Sequence, residues 1–171
     1  MKISLVGFMG TGKSSVGKLL AEKLNYPFLD TDDLIVNKAG MGIPQIFSKY
    51  GEGYFRKLEE EVLRHVVTTG DNFVLATGGG IVISPYNRKL LKDYTTPVLL
   101  SASPEVIYER ISGDKRPLLF TDDPLEKIKE LLAEREQYYS QFDNQVYTGG
   151  KEKREVVDEI IHLIGVDRLG L

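Results

Sequence analysis

The sequence predicts a single α/β domain built on a mainly parallel β-sheet with helices on both faces. Three observations carry this. Short apolar runs alternate with amphipathic stretches from one end of the chain to the other. The short runs are continuously apolar rather than alternating, as expected of strands buried on both faces. The 171 residues, with 42% apolar and 27% charged side chains, suit one compact core.

Taken in order, Ile3-Ser4-Leu5-Val6 ends at Gly7 and reads as the first strand. Val16, Leu19, Leu20 and Leu24 then recur at helical spacing. Pro27-Phe28-Leu29 leads into Asp30 as a second strand. Phe55, Leu58, Val62 and Val66 share one face of a helix. Phe73-Val74-Leu75-Ala76 forms a third strand, closed by Gly78-Gly79-Gly80. Pro97-Val98-Leu99-Leu100 is the fourth. Leu125, Ile128, Leu131 and Leu132 mark another helix, and Gln145-Val146-Tyr147 a short fifth strand. Val156, Val157, Ile160, Ile161 and Ile164 line a final helix. No repeat, low-complexity tract or linker interrupts the pattern. Residues 112–124 are the least core-like stretch, and a segment of that kind between two helices reads as a lid.

Composition excludes several classes. The net charge is -3 and no basic run dominates, which argues against a nucleic-acid binder. There are no cysteines, so disulfides and thiolate metal sites are out. His65 and His162 sit in amphipathic stretches without a companion histidine, which predicts structural or exposed roles. No apolar run approaches the roughly 20 residues that span a bilayer. The start of the chain lacks a secretory pattern. A cytoplasmic protein is expected, with no membrane or nucleic-acid partner.

Gly7-Phe8-Met9-Gly10-Thr11-Gly12-Lys13-Ser14 matches G-x-x-x-x-G-K-[ST], between a predicted strand and a predicted helix. Backbone N–H groups from Gly10, Thr11, Gly12, Lys13, Ser14 and Ser15 would face nucleotide phosphates at the positive end of the helix dipole. Lys13 adds a cation for the β- and γ-phosphates, and Ser14 an oxygen for Mg²⁺. The motif predicts nucleotide binding without separating a kinase from an ATPase or GTPase.

Asp30-Thr31-Asp32-Asp33 falls where the second strand should end, on the ligand side of a parallel sheet. On extended backbone Asp30 and Asp32 would point the same way. One would hold the metal's water shell, and the other would align a substrate hydroxyl and take its proton. The competing reading is a cap for a helix from Leu34, and Asp33 is the residue assigned to capping or solvent.

Arg56 shares a helical face with Glu59 and Glu60, which fits a surface ion pair or an arginine held rigid to grip a carboxylate. Gly78, Gly79 and Gly80 are more glycines than a tight turn needs, and let backbone approach a bound molecule. Arg116, in the lid, is either a solvated loop residue or a cation delivered to the transferring phosphoryl group. Arg135 lies on the apolar stripe of its helix, where a charge pairs, snorkels or binds a ligand.

Together, Gly7 to Ser14, Asp30-x-Asp32, Gly51-Glu52-x-x-Phe55-Arg56 with Glu59, Gly78-Gly79-Gly80, and Arg116-Pro117-Leu118-Leu119 followed by Arg135 resemble shikimate kinase, in order from about residue 2 to residue 135. The resemblance implies a single-domain, three-layer α/β/α P-loop fold. Its five-stranded parallel sheet would be of the nucleoside-monophosphate-kinase type, with a lid over about 112–124. It implies ATP and Mg²⁺ as cofactors, and phosphorylation of the shikimate 3-hydroxyl in aromatic amino acid biosynthesis, by a monomer.

The resemblance also implies roles. Asp32, Arg56, Gly79 and Arg135, within a pocket that includes Gly78 and Gly80, bind shikimate. Arg56 and Arg135 hold its carboxylate, while Asp32 contacts hydroxyls as the candidate base. Asp30 supports the metal through water. Lys13 and Arg116 stabilise the moving phosphoryl group, and Arg110 lies against adenine. Two positions depart from the family: Gly42 replaces a frequent serine, and 148–153 lacks the proline common in the adenine loop. A gluconate-kinase-like enzyme and a non-catalytic nucleotide-binding regulator are the rival readings.

Overall fold

A computed structural model describes residues 1–113 and 121–165. Five strands form one sheet: β1 (Lys2–Val6), β2 (Phe28–Asp30), β3 (Phe73–Ala76), β4 (Thr96–Ser101) and β5 (Asn144–Tyr147). Their order is β2-β3-β1-β4-β5, and every pairing is parallel. The chain leaves β1 toward one side of the sheet and later adds β4 on the other. The carboxyl end of β1 therefore faces the crevice where such sheets bind ligands.

Seven α-helices accompany the sheet among the described residues: α1 (Lys13–Leu24), α2 (Thr31–Ala39), α3 (Ile43–Thr69), α4 (Pro85–Tyr94), α5 (Pro104–Ile111), α6 (Pro124–Tyr139) and α7 (Lys153–Leu163). Alternate strand residues feed two cores. Ile3, Leu5, Val74, Val98 and Leu100 pack on α1 and α7. Val6, Phe73, Leu75 and Leu99 pack on α3, α4, α5 and α6. A third cluster joins Ile35 of α2 to Ile46, Phe55, Leu58 and Val62 of α3, extending the domain beside β2. This is the three-layer arrangement the sequence predicts.

Three elements differ from expectation. Helix α2 begins at Thr31, directly after β2, because Asp30 caps it: Asp30 Oδ1 accepts from the Asp32 N–H at 3.0 Å. Helix α3 runs far upstream of Phe55 and kinks at Gly51, where φ is 81° and ψ 172°. Helix α4 was not expected. It starts at Ser84-Pro85, with the Ser84 hydroxyl accepting from Asn87 N–H. The segment expected to form a lid, 112–124, follows the end of α5 at Ile111 and runs into Asp123, the N-cap of α6. Its centre, including Arg116, lies outside the described residues.

Candidate active site

The phosphate loop joins β1 to α1 and leaves no room for other residues at its start. Gly7 has φ +145°, and a Cβ there would sit 2.3 Å from the Leu100 carbonyl oxygen. Gly12, left-handed at φ 99°, is the N-cap of α1, with no side-chain cap and no acidic residue in the first turn. The donors and positive dipole of that turn thus face the crevice with no acidic residue of the helix itself among them. Lys13 is buried, and its Nζ donates to the carbonyls of Gly7 and Phe8 at 2.8 Å each. Its charge therefore lies across the loop that would hold phosphate.

Ser14 Oγ donates to Asp30 Oδ2 at 2.8 Å. A hydroxyl and a carboxylate side by side, beside a phosphate cradle, form an all-oxygen donor set that fits Mg²⁺ completing its shell with water and phosphate. Asp30 and Asp32 both line the 320 Å³ cleft that also contains Gly10, Gly12, Lys13, Ser14, Ser15, Gly78 and Gly79. Their convergence has a different cause from the one expected. Asp30 ends the strand, whereas Asp32 sits in the first turn of α2 rather than on extended backbone. The capping role belongs to Asp30, not Asp33, which is exposed.

The three glycines after β3 organise the other side of the cleft. A Cβ on Gly78 would meet Asp32 Oδ1 at 2.8 Å and Glu59 Oε1 at 3.2 Å. The Gly79 carbonyl accepts from Arg135 NH1 at 3.1 Å. A Cβ on Gly80 would meet Arg56 NH2 at 2.5 Å. Each successive glycine thus lies against one predicted acceptor-binding side chain, and the two guanidinium groups meet adjacent residues of one turn. The turn is fixed from both sides. Gly78 N–H donates to the buried Thr31 hydroxyl at 2.8 Å, and Thr77 Oγ1 donates to the Leu5 carbonyl at 2.9 Å.

Arg56 and Glu59 are not the surface pair that spacing allows. Glu59 is 1% exposed, and its Oε2 accepts from Arg56 NH1 at 2.8 Å, with Glu52 Oε1 3.5 Å from NH2. Burial pushes the Glu59 carboxyl above its usual range, against the pull of Arg56. Arg56 is 28% exposed, so only the Glu59 end of the pair is fully buried. Arg135 stacks its guanidinium 5.2 Å from the centroid of the Phe8 ring.

On the nucleotide side, Arg110 bridges the phosphate loop and the loop after β5. It donates to Gly10 O at 3.1 Å, Thr148 Oγ1 at 2.9 Å and Thr148 O at 2.8 Å. With Thr11, Gly12, Ser15 and Val16 it lines a 670 Å³ cleft whose far wall includes Lys151 and Val156. A cleft of that size leading from the helix N-terminus suits a nucleoside. His65 and His162 are exposed on α3 and α7. No group of three or more metal-ligating side chains occurs among the described residues.

Sequence reasoning passed over Thr31, Phe8, Thr148 and Tyr139 as site residues. Thr31 lies inside the acidic stretch and Phe8 inside the phosphate motif. Both were hidden by more obviously chemical neighbours.

A family model described as shikimate kinase matches residues 9–165. The chain belongs to the shikimate kinase family. It is 48% identical over 159 residues to a shikimate kinase of Geobacter sulfurreducens, covering 92% of this chain and 87% of that protein. The solved structure of an Acinetobacter baumannii shikimate kinase in complex with shikimate superposes with a TM-score of 0.91 at 39% identity, over 98% of this chain and 94% of that one. A gluconokinase from Sinorhizobium meliloti shares only the fold, with a TM-score of 0.59 at 19% identity over 98% and 92% of the two chains. A member of this family is an ATP-dependent kinase rather than a passive nucleotide binder.

Proposed function

We propose that this protein transfers the γ-phosphoryl group of ATP to the 3-hydroxyl of shikimate, giving 3-phosphoshikimate and ADP. The observation that carries the site assignment is the glycine turn, whose successive residues lie against Asp32, Arg135 and Arg56 beside the phosphate loop. Arg56 and Arg135 bind the substrate carboxylate, as planar guanidinium forks do. Asp32 accepts the hydrogen bond of the 3-hydroxyl and takes its proton as the oxygen–phosphorus bond forms. The bond between the γ-phosphorus and the β,γ-bridging oxygen breaks, and ADP leaves with that electron pair.

Lys13 follows the charge that grows on the moving phosphoryl group. Ser14 would ligate Mg²⁺ and Asp30 would reach it through water, and the bound ion would neutralise phosphate charge. Arg110 lies on the nucleoside side. The segment 112–124 acts as a lid and brings Arg116 to the phosphates, excluding water that would otherwise hydrolyse ATP. No helix among the described residues is long and apolar enough to cross a membrane. On this reading the protein acts as a monomer in the cytoplasm.

Shikimate-dependent ADP release by the purified protein, with Mg²⁺ and ATP, tests this reading. Turnover with shikimate and none with gluconate is expected. Equal or faster turnover with gluconate would overturn the acceptor.

A further inference from the structure

Two arginines hold the proposed carboxylate, but they are braced differently. Arg56 has the carboxylates of Glu59 and Glu52. Arg135 has no such pair among the described ion pairs. It rests on the ring of Phe8 and on the carbonyl of Gly79. An arginine held only by a stack and one hydrogen bond keeps much of its rotamer freedom, and ordering it on binding weakens affinity.

A third brace comes from the same helix. Tyr139 lies four residues after Arg135 on α6, so both project from one face. Its ring is buried in the core cluster that contains Phe8. Its hydroxyl reaches the same Gly79 carbonyl, at 3.5 Å. The Arg135 guanidinium donates to that same carbonyl, so the two side chains share one acceptor. Burial pushes the phenol's proton affinity up and Arg135 draws it back, so the hydroxyl keeps its hydrogen at neutral pH and goes on donating.

We propose that Tyr139 is a positioning residue for the acceptor: its hydroxyl holds the Gly79 carbonyl that anchors Arg135, and so sets the guanidinium in the orientation that receives the substrate carboxylate. This rests on the reading of Arg135 as a carboxylate ligand. The geometry allows it because a guanidinium has five N–H donors. One edge can face the Gly79 carbonyl while another remains for a bidentate carboxylate. The arrangement also ties the acceptor's grip to the phosphate loop, since Phe8 belongs to that loop.

The test is Tyr139→Phe in the full chain, alone and combined with Arg135→Ala. The ring stays in the core and only the hydroxyl is lost. KM for shikimate should rise about fivefold, the size of one hydrogen bond. The values of kcat, KM for ATP and the melting temperature should stay close to wild type. In the Arg135→Ala background the same change should have no further effect on KM for shikimate, because the group it positions is gone.

An unchanged KM in Tyr139→Phe overturns the inference. So does an equal rise in both backgrounds, or a parallel loss in kcat and both KM values. If Arg135→Ala itself leaves KM for shikimate unchanged, the carboxylate role of Arg135 has failed, and the positioning role falls with it for that separate reason.

Discussion

The phosphate loop and the proposed acceptor pocket lie side by side at the glycine turn but are made in opposite ways. The loop is an unbroken stretch of chain whose recognition groups are mostly backbone N–H, shaped by glycines and the start of α1. The acceptor pocket has almost no local sequence. Asp32 comes from α2, Arg56 from α3, Arg135 from α6, and the turn after β3 holds them together. A backbone cradle binds any polyphosphate and is hard to alter by one side chain. A pocket of converging side chains is selective, and each member is separately breakable.

Lys13→Met should break the contrast most sharply, because Lys13 is the one cationic side chain within the loop motif. We expect kcat to fall about 10³-fold, the upper range for removing one charge stabiliser of a transition state, with a far smaller change in KM for shikimate. Steady-state ADP release checks this, and retention of kcat within tenfold would remove Lys13 from the chemistry. On the acceptor side, Arg56→Ala should lower kcat/KM for shikimate about 10²-fold, as expected for losing charged hydrogen bonds, while KM for ATP stays within about twofold. A matching loss on the ATP side would show that the two regions are not separable.

Gly80→Ala sharpens the comparison at a single methyl group. The backbone there has φ −97° and ψ 0°, which alanine accepts. The new Cβ would nevertheless lie 2.5 Å from Arg56 NH2, a mobile side-chain tip. The fold should therefore survive while the guanidinium is displaced. KM for shikimate should rise roughly tenfold with little change in melting temperature, an intermediate loss for a ligand moved rather than deleted. Loss of the fold instead would mean that the turn cannot yield.

The smallest effect concerns stability and pH. The Glu59 carboxyl titrates above 4.5 when folded. Between the two values the folded chain holds a proton that the unfolded chain has released. Its contribution is thus fully present below about pH 4.5 and is lost as pH rises through the folded pKa. Glu59→Gln should lack that decline, so the stability gap between wild type and variant should move against wild type from pH 4.5 to 7. Denaturant titrations at both pH values measure it. The opposite slope would mean that Arg56 outweighs burial.

The difference between the two regions also explains what could be read in advance. The phosphate loop was legible because its function is local: glycines at fixed spacing, then a lysine and a serine. The sheet was legible because β1, β3 and β4 are largely buried on both faces and carry apolar runs, broken in β1 only by the buried Ser4. The partnership of Arg56 with Glu59 was visible as a spacing. Its burial was not, since that depends on Gly78 packing from a distant part of the chain. The two aspartates were placed in the right crevice through a mistaken geometry, because a cap turns the chain into helix one residue after β2. Helix α4 escaped because a mostly polar stretch brings only Asn87, Leu90 and Leu91 into the core. Tyr139 looked like ordinary core, and only the position of the Gly79 carbonyl distinguishes it.

The bare start of α1 has a consequence for the life of the molecule outside the catalytic cycle. A helix with glycine where a serine or aspartate would normally close it leaves part of the domain's cohesion to a guest. A guest that binds only the folded chain contributes RT ln(1 + [L]/Kd), about 2.7 kcal/mol at a hundredfold excess over Kd. Under such saturation the unfolded fraction drops about a hundredfold. Nucleotide supply would then govern not only how fast this protein works but how long it persists.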